Sequence, residues 1–280
     1  MINNLIYILW TSINLFQDMI YRYYSVNINF VLLGRYFLSL LLLTIGEFFL
    51  PVSPHKTSIK NLIFINFFKS ISSFLGMIFG FLQLSKTNIF NTNLIFYNIP
   101  AMDYFFQKFF LKQVPLPPVY LTIINIFNSS LIIAYFAFNY QLKDYLYGFL
   151  SAMFFSLSNI SILLSKNHWK NHLSGIFLDM KIFSCFMLVW TGIYVAINGL
   201  TVAGINWWSW GLLSINGVLM QFLLYYLFFK ILYTPSSLMT YFDLFFSIGV
   251  DIFMTHTPPS FLQVLLLISI ILIPHLFKKL

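Results

Sequence analysis

The chain has 280 residues, 60% of them hydrophobic and only 8% charged, where a soluble domain carries about 25% charged. With 35 Phe, 17 Tyr and 6 Trp and a mean hydropathy of +0.85, it has too few polar side chains to clothe a water-facing surface, so a soluble fold is excluded. The net charge of +8 comes from 15 Lys and Arg dispersed between apolar runs, not from a basic stripe, which argues against nucleic acid as a partner.

Apolar runs separated by polar or Pro-containing breaks predict ten spans, near 3–21, 28–50, 61–82, 88–111, 118–138, 145–165, 173–198, 205–230, 233–255 and 259–277. Backbone in hydrocarbon must satisfy its own hydrogen bonds, and runs of this length do so as helices. The short alternating segments of a membrane β-barrel are not seen. The predicted fold class is all-α: a polytopic membrane protein whose immediate partner is the lipid bilayer. The first span is the most polar, diluted by Asn14, Gln17 and Asp18. The start, Met-Ile-Asn-Asn, lacks a basic n-region and a cleavage site, so it reads as a first span and not as a signal peptide. The single Cys185 offers no disulfide and no Cys-based metal site within the chain.

Charge bias orients the spans. One side carries Arg22, Lys86 and Lys143, with Arg35 just inside the second span. The other carries Lys56, Lys60, Lys112, Lys166, Lys170, Lys230, Lys278 and Lys279, with Lys69, Lys108 and Lys181 close by. That is four against eleven of the 15 basic residues. Basic residues stay cytoplasmic, so both termini are predicted to face the cytoplasm, with a bacterial inner membrane as the expected location.

Residues 86–126 lie over 230–270 at a constant offset of 144. The identical pairs are Lys86/Lys230, Leu94/Leu238, Tyr97/Tyr241, Phe109/Phe253, Pro115/Pro259, Leu121/Leu265, Ile124/Ile268 and Ile126/Ile270. Eight in 41 is a weak self-similarity in so Phe- and Leu-rich a chain, but the landmarks coincide: a Lys before the fourth and ninth spans, a Tyr near their middles, a Pro in the following turn. The chain reads as two five-helix repeats, 1–140 and 141–280. An odd number of spans per repeat inverts the second copy, a recurrent plan of secondary transporters, which bind substrate near the midplane.

Three stretches carry a family resemblance. Residues 84–100, Leu-Ser-Lys-Thr-Asn-Ile-Phe-Asn-Thr-Asn-Leu-Ile-Phe-Tyr-Asn-Ile-Pro, resemble the third-to-fourth span passage of the drug/metabolite transporter superfamily, specifically its ten-span EamA-type members. Residues 233–244, Tyr-Thr-Pro-Ser-Ser-Leu-Met-Thr-Tyr-Phe-Asp-Leu, are similar to that family's ninth-span pattern of small residues followed by Tyr-x-acidic-Leu. Residues 147–159 resemble the opening of its second repeat. Within the family the layout is most like that of rickettsial-type S-adenosylmethionine transporters. The sequence departs from them where an acidic residue before the turn after the fourth span is Lys112 or Gln113, and again near Thr255-His256. Phe96-Tyr97-Asn98 partly echoes the Phe-Tyr-Asn-Asn motif of nucleotide-sugar carriers. The resemblance implies secondary transport of a small-molecule substrate, S-adenosylmethionine or a related nucleoside or amino-acid-like compound, without a cofactor. Export of amino acids or drug-like cations is the alternative. Heavy use of Phe, Ile, Asn, Lys and Tyr suggests AT-rich coding, as in reduced genomes of intracellular bacteria, and so favours uptake.

An ionisable group inside a bilayer costs roughly 2.5–3.5 kcal/mol on insertion scales, so each deep one needs a reason. Asp243 lies near the middle of the ninth span with Tyr241 two positions before it; Tyr97 and Asn98 sit at similar depth in the fourth, beside Pro100. These four are the candidate substrate-binding residues, offering stacking faces, an amide and one negative charge; the competing reading is interhelical hydrogen bonding. Asp103 is placed to pair with Lys69, either as a structural pair or as a gate. Arg35 suits an anionic group or snorkels to the outer headgroups. Asp18 and Asn14 are candidates for the cavity wall, and Asp103, Lys69, Asp18 and Arg35 form the gating or coupling set. Glu47, Asp179 and Lys181 read as solvated helix ends, and Asp251 as a candidate proton carrier. Gly76-Met-Ile-Phe-Gly80 allows close helix approach and leaves a homodimer open. Trp207, Trp208 and Trp210 read as an interfacial belt.

The rival class is a membrane enzyme or an assembly subunit. His168 and His172 have i, i+4 spacing but no zincin Glu, and a solvated loop is the preferred reading, so no metal is expected. No GxxxxGK[ST] stretch and no nucleophile elbow occur, which removes a P-loop ATPase and weakens hydrolase chemistry.

Overall fold

The computed structural model describes residues 2–23, 28–49, 59–110, 119–139, 142–169, 173–199, 207–230, 237–256 and 258–277. Every element among them is a helix: α1 (Ile2–Tyr23), α2 (Ile28–Glu47), α3 (Ile59–Lys86), α4 (Ile89–Phe96), α5 (Ile99–Phe110), α6 (Val119–Asn139), α7 (Leu142–Trp169), α8 (Leu173–Asn198), α9 (Trp207–Lys230), α10 (Ser237–Thr255) and α11 (Phe261–Phe277). The all-α class is as expected. Among the described residues, five helical stretches are long and apolar enough to cross a membrane: Ile28–Glu47, Ile59–Lys86, Tyr145–Lys166, Leu173–Asn198 and Trp207–Leu227.

The distribution of polarity is that of a protein solvated by lipid. Phe37, Phe48, Phe64, Phe109, Phe138 and Phe253 are among many exposed large apolar side chains, while Lys69, Asp103, Asp179, Gln107 and Asn128 are buried. Water would reverse this arrangement, because it rewards polar groups outside and apolar groups within. The pattern is consistent with an integral membrane protein.

One expected span is two helices. Pro100 has no N–H to give the Phe96 carbonyl, so the run from 88 to 111 breaks at Tyr97–Asn98 into α4 and α5. The break is organised. Tyr97 N–H bonds back to Asn93 O (3.1 Å) and Leu94 O (3.2 Å), and Asn98 N–H reaches Ile95 O at 3.0 Å. Pro100 then occupies the first turn of α5, where a missing N–H costs nothing. The start of α4 is capped twice. Asn88 Oδ1 accepts from Asn91 N–H (2.9 Å), and the Asp251 carboxylate of α10 accepts from Ile89 N–H (3.2 Å) and Phe90 N–H (2.8 Å). Asp251 therefore serves a helix N-terminus, where negative charge is stabilising.

Helix α3 packs along α7 through a ladder of small and polar residues. Ser73 and Ser158 hydroxyls meet at 2.6 Å, Ser151 Oγ donates to Gly76 O at 2.6 Å, and Gly148 N–H donates to Gln83 Oε1 at 3.0 Å. As numbers rise on α3 they fall on α7, so the pair is antiparallel. A Cβ on Gly76 would lie 3.2 Å from the Phe155 ring, and one on Gly80 would lie 3.1 Å from Ser151 Oγ. The GxxxG stretch is thus filled by α7 of the same chain.

Other neighbours are α2 with α8 and α9, α3 with α8, α1 with α9 and α10, α5 with α7, α4 with α10, and α6 with α11. Apolar clusters hold the ends apart. Leu43, Ile160, Leu163, Trp169, Ile176 and Met180 pack at the end bearing the α7–α8 turn. At the opposite end lie Leu15, Ile20, Val31, Leu84, Ile89 and Leu213.

Replacing Gly80 by Leu overpacks the α3–α7 seam and is expected to cost about 1–3 kcal/mol. Gly192→Leu, where a Cβ meets nothing within 4 Å, is the control and is expected to unfold at the wild-type temperature in detergent. Equal melting of the two variants would contradict the seam.

Candidate functional site

Between the two end clusters lies a cavity of about 290 Å³ lined by eight helices, α1–α5 and α7–α9. Along α3 its wall runs from Lys69 to Leu84, about 22 Å at 1.5 Å per residue. Tyr97, Asp103, Lys69, Asp18 and Arg35 all line it, so the structure brings five of the eight candidate residues together. Asn98 is not on the wall: its side-chain amide donates to Ile95 O at 2.7 Å and helps close the end of α4. Tyr241 and Asp243 belong to α10, but their side chains lie outside the described residues.

Asn93, Phe96, Tyr97, Pro100 and Asp103 follow the three-and-four spacing of one helix face, and that face carries through the break from α4 into α5 to form the wall. At the break it presents two aromatic rings beside Pro100, which leaves the Phe96 carbonyl without its helical donor.

The Lys69 partner differs from the expected one. Lys69 Nζ lies 2.9 Å from Asp179 Oδ2, with neither side chain exposed. Asp179 also accepts from Ser165 Oγ at 3.0 Å and from the Asn66 amide. The ammonium sits 4.8 Å from the centroid of the Tyr225 ring and 5.1 Å from that of Phe183. Asp179 is therefore a core residue of the site and not a solvated helix end. The reason is length: α7 runs on to a buried Trp169, which stacks on Tyr225 at 5.7 Å, so the bundle stays packed beyond the last apolar run. Gly175 lets the start of α8 approach the end of α7 closely, because a Cβ there would meet the Trp169 backbone at 2.8 Å. Glu47 and Lys181 do form a half-exposed pair at 2.6 Å.

Asp103 is held by α7 instead. Its Oδ1 accepts from Ser156 Oγ at 2.5 Å and its Oδ2 from the Asn159 amide at 3.4 Å. Arg35 is buried and does not snorkel. Its side chain lies against Gly217 of α9, where any Cβ would collide with it, and its guanidinium is 5.5 Å from the Tyr36 ring centroid. Sequence reasoning missed Gln17, Asn93 and Gln221, which also line the cavity. Gln17 does share a helix face with Asn14 and Asp18, and Asn93 follows Asn91 and Thr92, but amides are too common in a chain this rich in Asn for these to stand out.

The remaining motifs fall elsewhere. Trp207 and Trp208 are exposed as an interfacial belt requires, but Trp210 packs over Gly34 and donates to Phe30 O at 3.1 Å. His172 lies outside the described residues, among which no cluster of three or more His, Cys, Asp or Glu could hold a metal.

No protein-family profile and no curated protein sequence matches the chain. A crystal structure of a protein superimposes with a TM-score of 0.66 at 12% identity, over 99% of this chain and 96% of that one. At that identity the likeness is one of fold alone, and it extends over the whole length of both chains.

Removing Lys69 alone leaves a buried carboxylate without its cation. Lys69→Met is expected to destabilise by about 3–5 kcal/mol, and Lys69→Met with Asp179→Asn to regain most of it. The check is thermal unfolding in detergent; a double variant no more stable than the single one would contradict the pairing.

Proposed function

We propose that the chain is a secondary transporter that moves a small metabolite across a membrane by alternating access. The observation that carries this reading is the cavity: a largely apolar chamber with a few buried charged and polar side chains on its wall, placed between helices of both halves in a bundle whose outside is apolar. A protein that only scaffolds others has no use for buried charge around an empty space, which is expensive in hydrocarbon. The broken helix at the wall adds support, because discontinuous helices near the midplane are how transporters present backbone groups to a substrate.

The packing supports the two-repeat plan. Exchanging α1 with α7, α2 with α8, α3 with α9, the α4/α5 pair with α10, and α6 with α11 turns one helix contact into another. It carries α3–α7 onto α9–α1, α2–α9 onto α8–α3, α1–α10 onto α7–α5, and α5–α6 onto α10–α11. The contacts α2–α8, α4–α10 and α6–α11 map onto themselves. Such exchange is what a two-fold axis between the halves 1–140 and 141–280 produces. On this reading two bundles that each draw helices from both halves rock about the cavity, α3 moving with α7 and α9 with α1, and the apolar clusters at its two ends open in turn. A substrate must then bind both states through contacts that both offer.

The ten-span topology, cytoplasmic termini and bacterial inner membrane belong to the same proposal, as does the likeness to EamA-type members of the drug/metabolite transporter superfamily. Tyr97 holds an apolar or aromatic part of the substrate, and Tyr241 and Asp243 are the candidate contacts on α10. Lys69 with Asp179 forms the floor at the α7–α8 end.

The test is uptake of radiolabelled compounds by cells expressing the chain, over a panel of S-adenosylmethionine, nucleotides, amino acids and organic cations. Saturable uptake of one compound, displaced by its unlabelled form, is the expected result, and an uncoupler then shows whether protons drive it. Correctly inserted protein that moves none of them would count against transport of these classes. Asp243→Asn is expected to lower uptake if that residue contacts the substrate; unchanged uptake would remove it from the site.

A further inference from the structure

The charges around the cavity do not balance. Lys69 and Asp179 neutralise each other, and the other ion pair among the described residues, Lys181 with Glu47, is half-exposed at the ends of the helices. That leaves Arg35 facing the same space as two carboxyls, Asp18 and Asp103, with none of the three in an ion pair among the described residues. The hydrogen-bonding groups are unbalanced in the same sense. Arg35 Nε and Gln221 Nε2 are buried donors, and Asp18 Oδ2 and Gln17 Oε1 buried acceptors, with no partner among the described residues.

These groups are sorted in space. Arg35 and Ser39 lie one turn apart on α2, facing Gly217 and Gln221 one turn apart on α9. The Arg35 stem rests on Gly217, and Ser39 Oγ is 3.5 Å from Gln221 Oε1. Two of the buried donors thus sit at the α2–α9 seam, while a third on the cavity wall, Asn93 Nδ2, lies on α4. Gln17 and Asp18 are neighbours on α1, and Asp103 is on α5, anchored to α7 through Ser156 and Asn159. The acceptors therefore occupy two walls other than the donor seam.

We infer that this site, on the transporter reading above, takes a small amphoteric cation with one carboxylate and two positive centres: a basic amino acid such as lysine or arginine. The carboxylate meets Arg35 and Gln221, and the two cationic ends meet Asp18 and Asp103. A guanidinium and a carboxamide present N–H donors that match carboxylate oxygens. Each Asp103 oxygen keeps a lone pair beyond its Ser156 or Asn159 bond. The volume, about 290 Å³, is at the lower end of the roughly 300–1,000 Å³ typical of ligand pockets, which suits an amino acid better than a nucleotide. Selectivity follows from what a wrong ligand leaves unmatched: leucine one site carboxylate, glutamate one site carboxylate together with a second carboxylate of its own, and cadaverine the guanidinium.

The experiment is scintillation-proximity binding of tritiated lysine to the purified full chain in detergent, displaced by arginine, leucine, glutamate or cadaverine. Lysine is expected to bind and arginine to displace it within a few-fold, with the other three weaker by about tenfold or more, as an unmatched buried charge requires. Arg35→Gln is expected to abolish the preference for lysine over cadaverine. Asp103→Asn is expected to shift preference from lysine toward leucine, a change of selectivity that misfolding does not produce. The inference is overturned if leucine, glutamate or cadaverine competes as well as lysine, if neither basic amino acid binds, or if the two variants leave the preferences unchanged. Lysine that binds but is not moved in proteoliposomes sinks the transporter reading and leaves the ligand class standing. Saturable uptake of an uncharged compound does the reverse.

Discussion

A lysine ammonium and an aspartate carboxylate, 2.9 Å apart and without exposed surface, hold together four helices that come from both halves of the chain. Removing two ions from water costs several kcal/mol each, and the attraction between them repays this only when every remaining lone pair and proton is also satisfied. Asp179 of α8 therefore draws in Asn66 of α3 and Ser165 of α7, and Lys69 of α3 is covered by the rings of Phe183 on α8 and Tyr225 on α9. Satisfying that one pair fixes how α3, α7, α8 and α9 meet, and with them one end of the cavity. The cost of placing charge inside also explains where the rest of the polarity is found. Serines, amides and carboxyls are found in seams and on the chamber wall, while the exposed outside is rich in Phe, Leu and Ile.

The two helix contacts nearest the chamber are built in opposite ways. The α3–α7 seam is a close ladder of Gly and Ser, with backbone and hydroxyl groups bonded directly across it. Few atoms there are free to rearrange, so α3 and α7 form a rigid wall. The α4–α5 turn is the reverse, a helix interrupted by Pro100 whose strands of hydrogen bonds stop at Tyr97 and Asn98. On the proposed reading the rigid wall carries the substrate-facing surface and the interrupted helix supplies the local give. Asp251 ties the start of α4 to α10, so motion of either helix is felt by the other.

Much of this was legible in the residues, and the rest was hidden for definable reasons. Composition fixes the membrane class, and apolar runs place the helices to within a few residues, because both depend on hydrophobicity alone. Pro100 announces its lost hydrogen bond to the Phe96 carbonyl, but whether a helix kinks or divides depends on its surroundings; here the neighbouring Ile95 carbonyl takes both the backbone N–H and the side-chain amide of Asn98, which ends α4. The partner of Lys69 could not be read from spacing. Asp103 and Asp179 both lie at compatible depths, and the choice rests on the extension of α7 to Trp169, which no hydropathy window reveals. Arg35 shows the same limit: an arginine near a helix end snorkels by default, and the space that keeps it inside is made by Gly217, 182 positions along the chain. Gln17, Asn93 and Gln221 escaped notice because their roles come from facing one another across a chamber that exists only after folding.

The central claim is that both faces of the membrane gain access to the cavity in turn. Ser158 lies on its wall, and Cys185, the one native cysteine, is exposed and can be replaced by Ser. In that background, Ser158→Cys can be probed with a membrane-impermeant maleimide in right-side-out and inside-out vesicles. The account predicts labelling from both faces, slowed on each by a bound ligand. Reaction from one face only, whatever ligand is present, would contradict it.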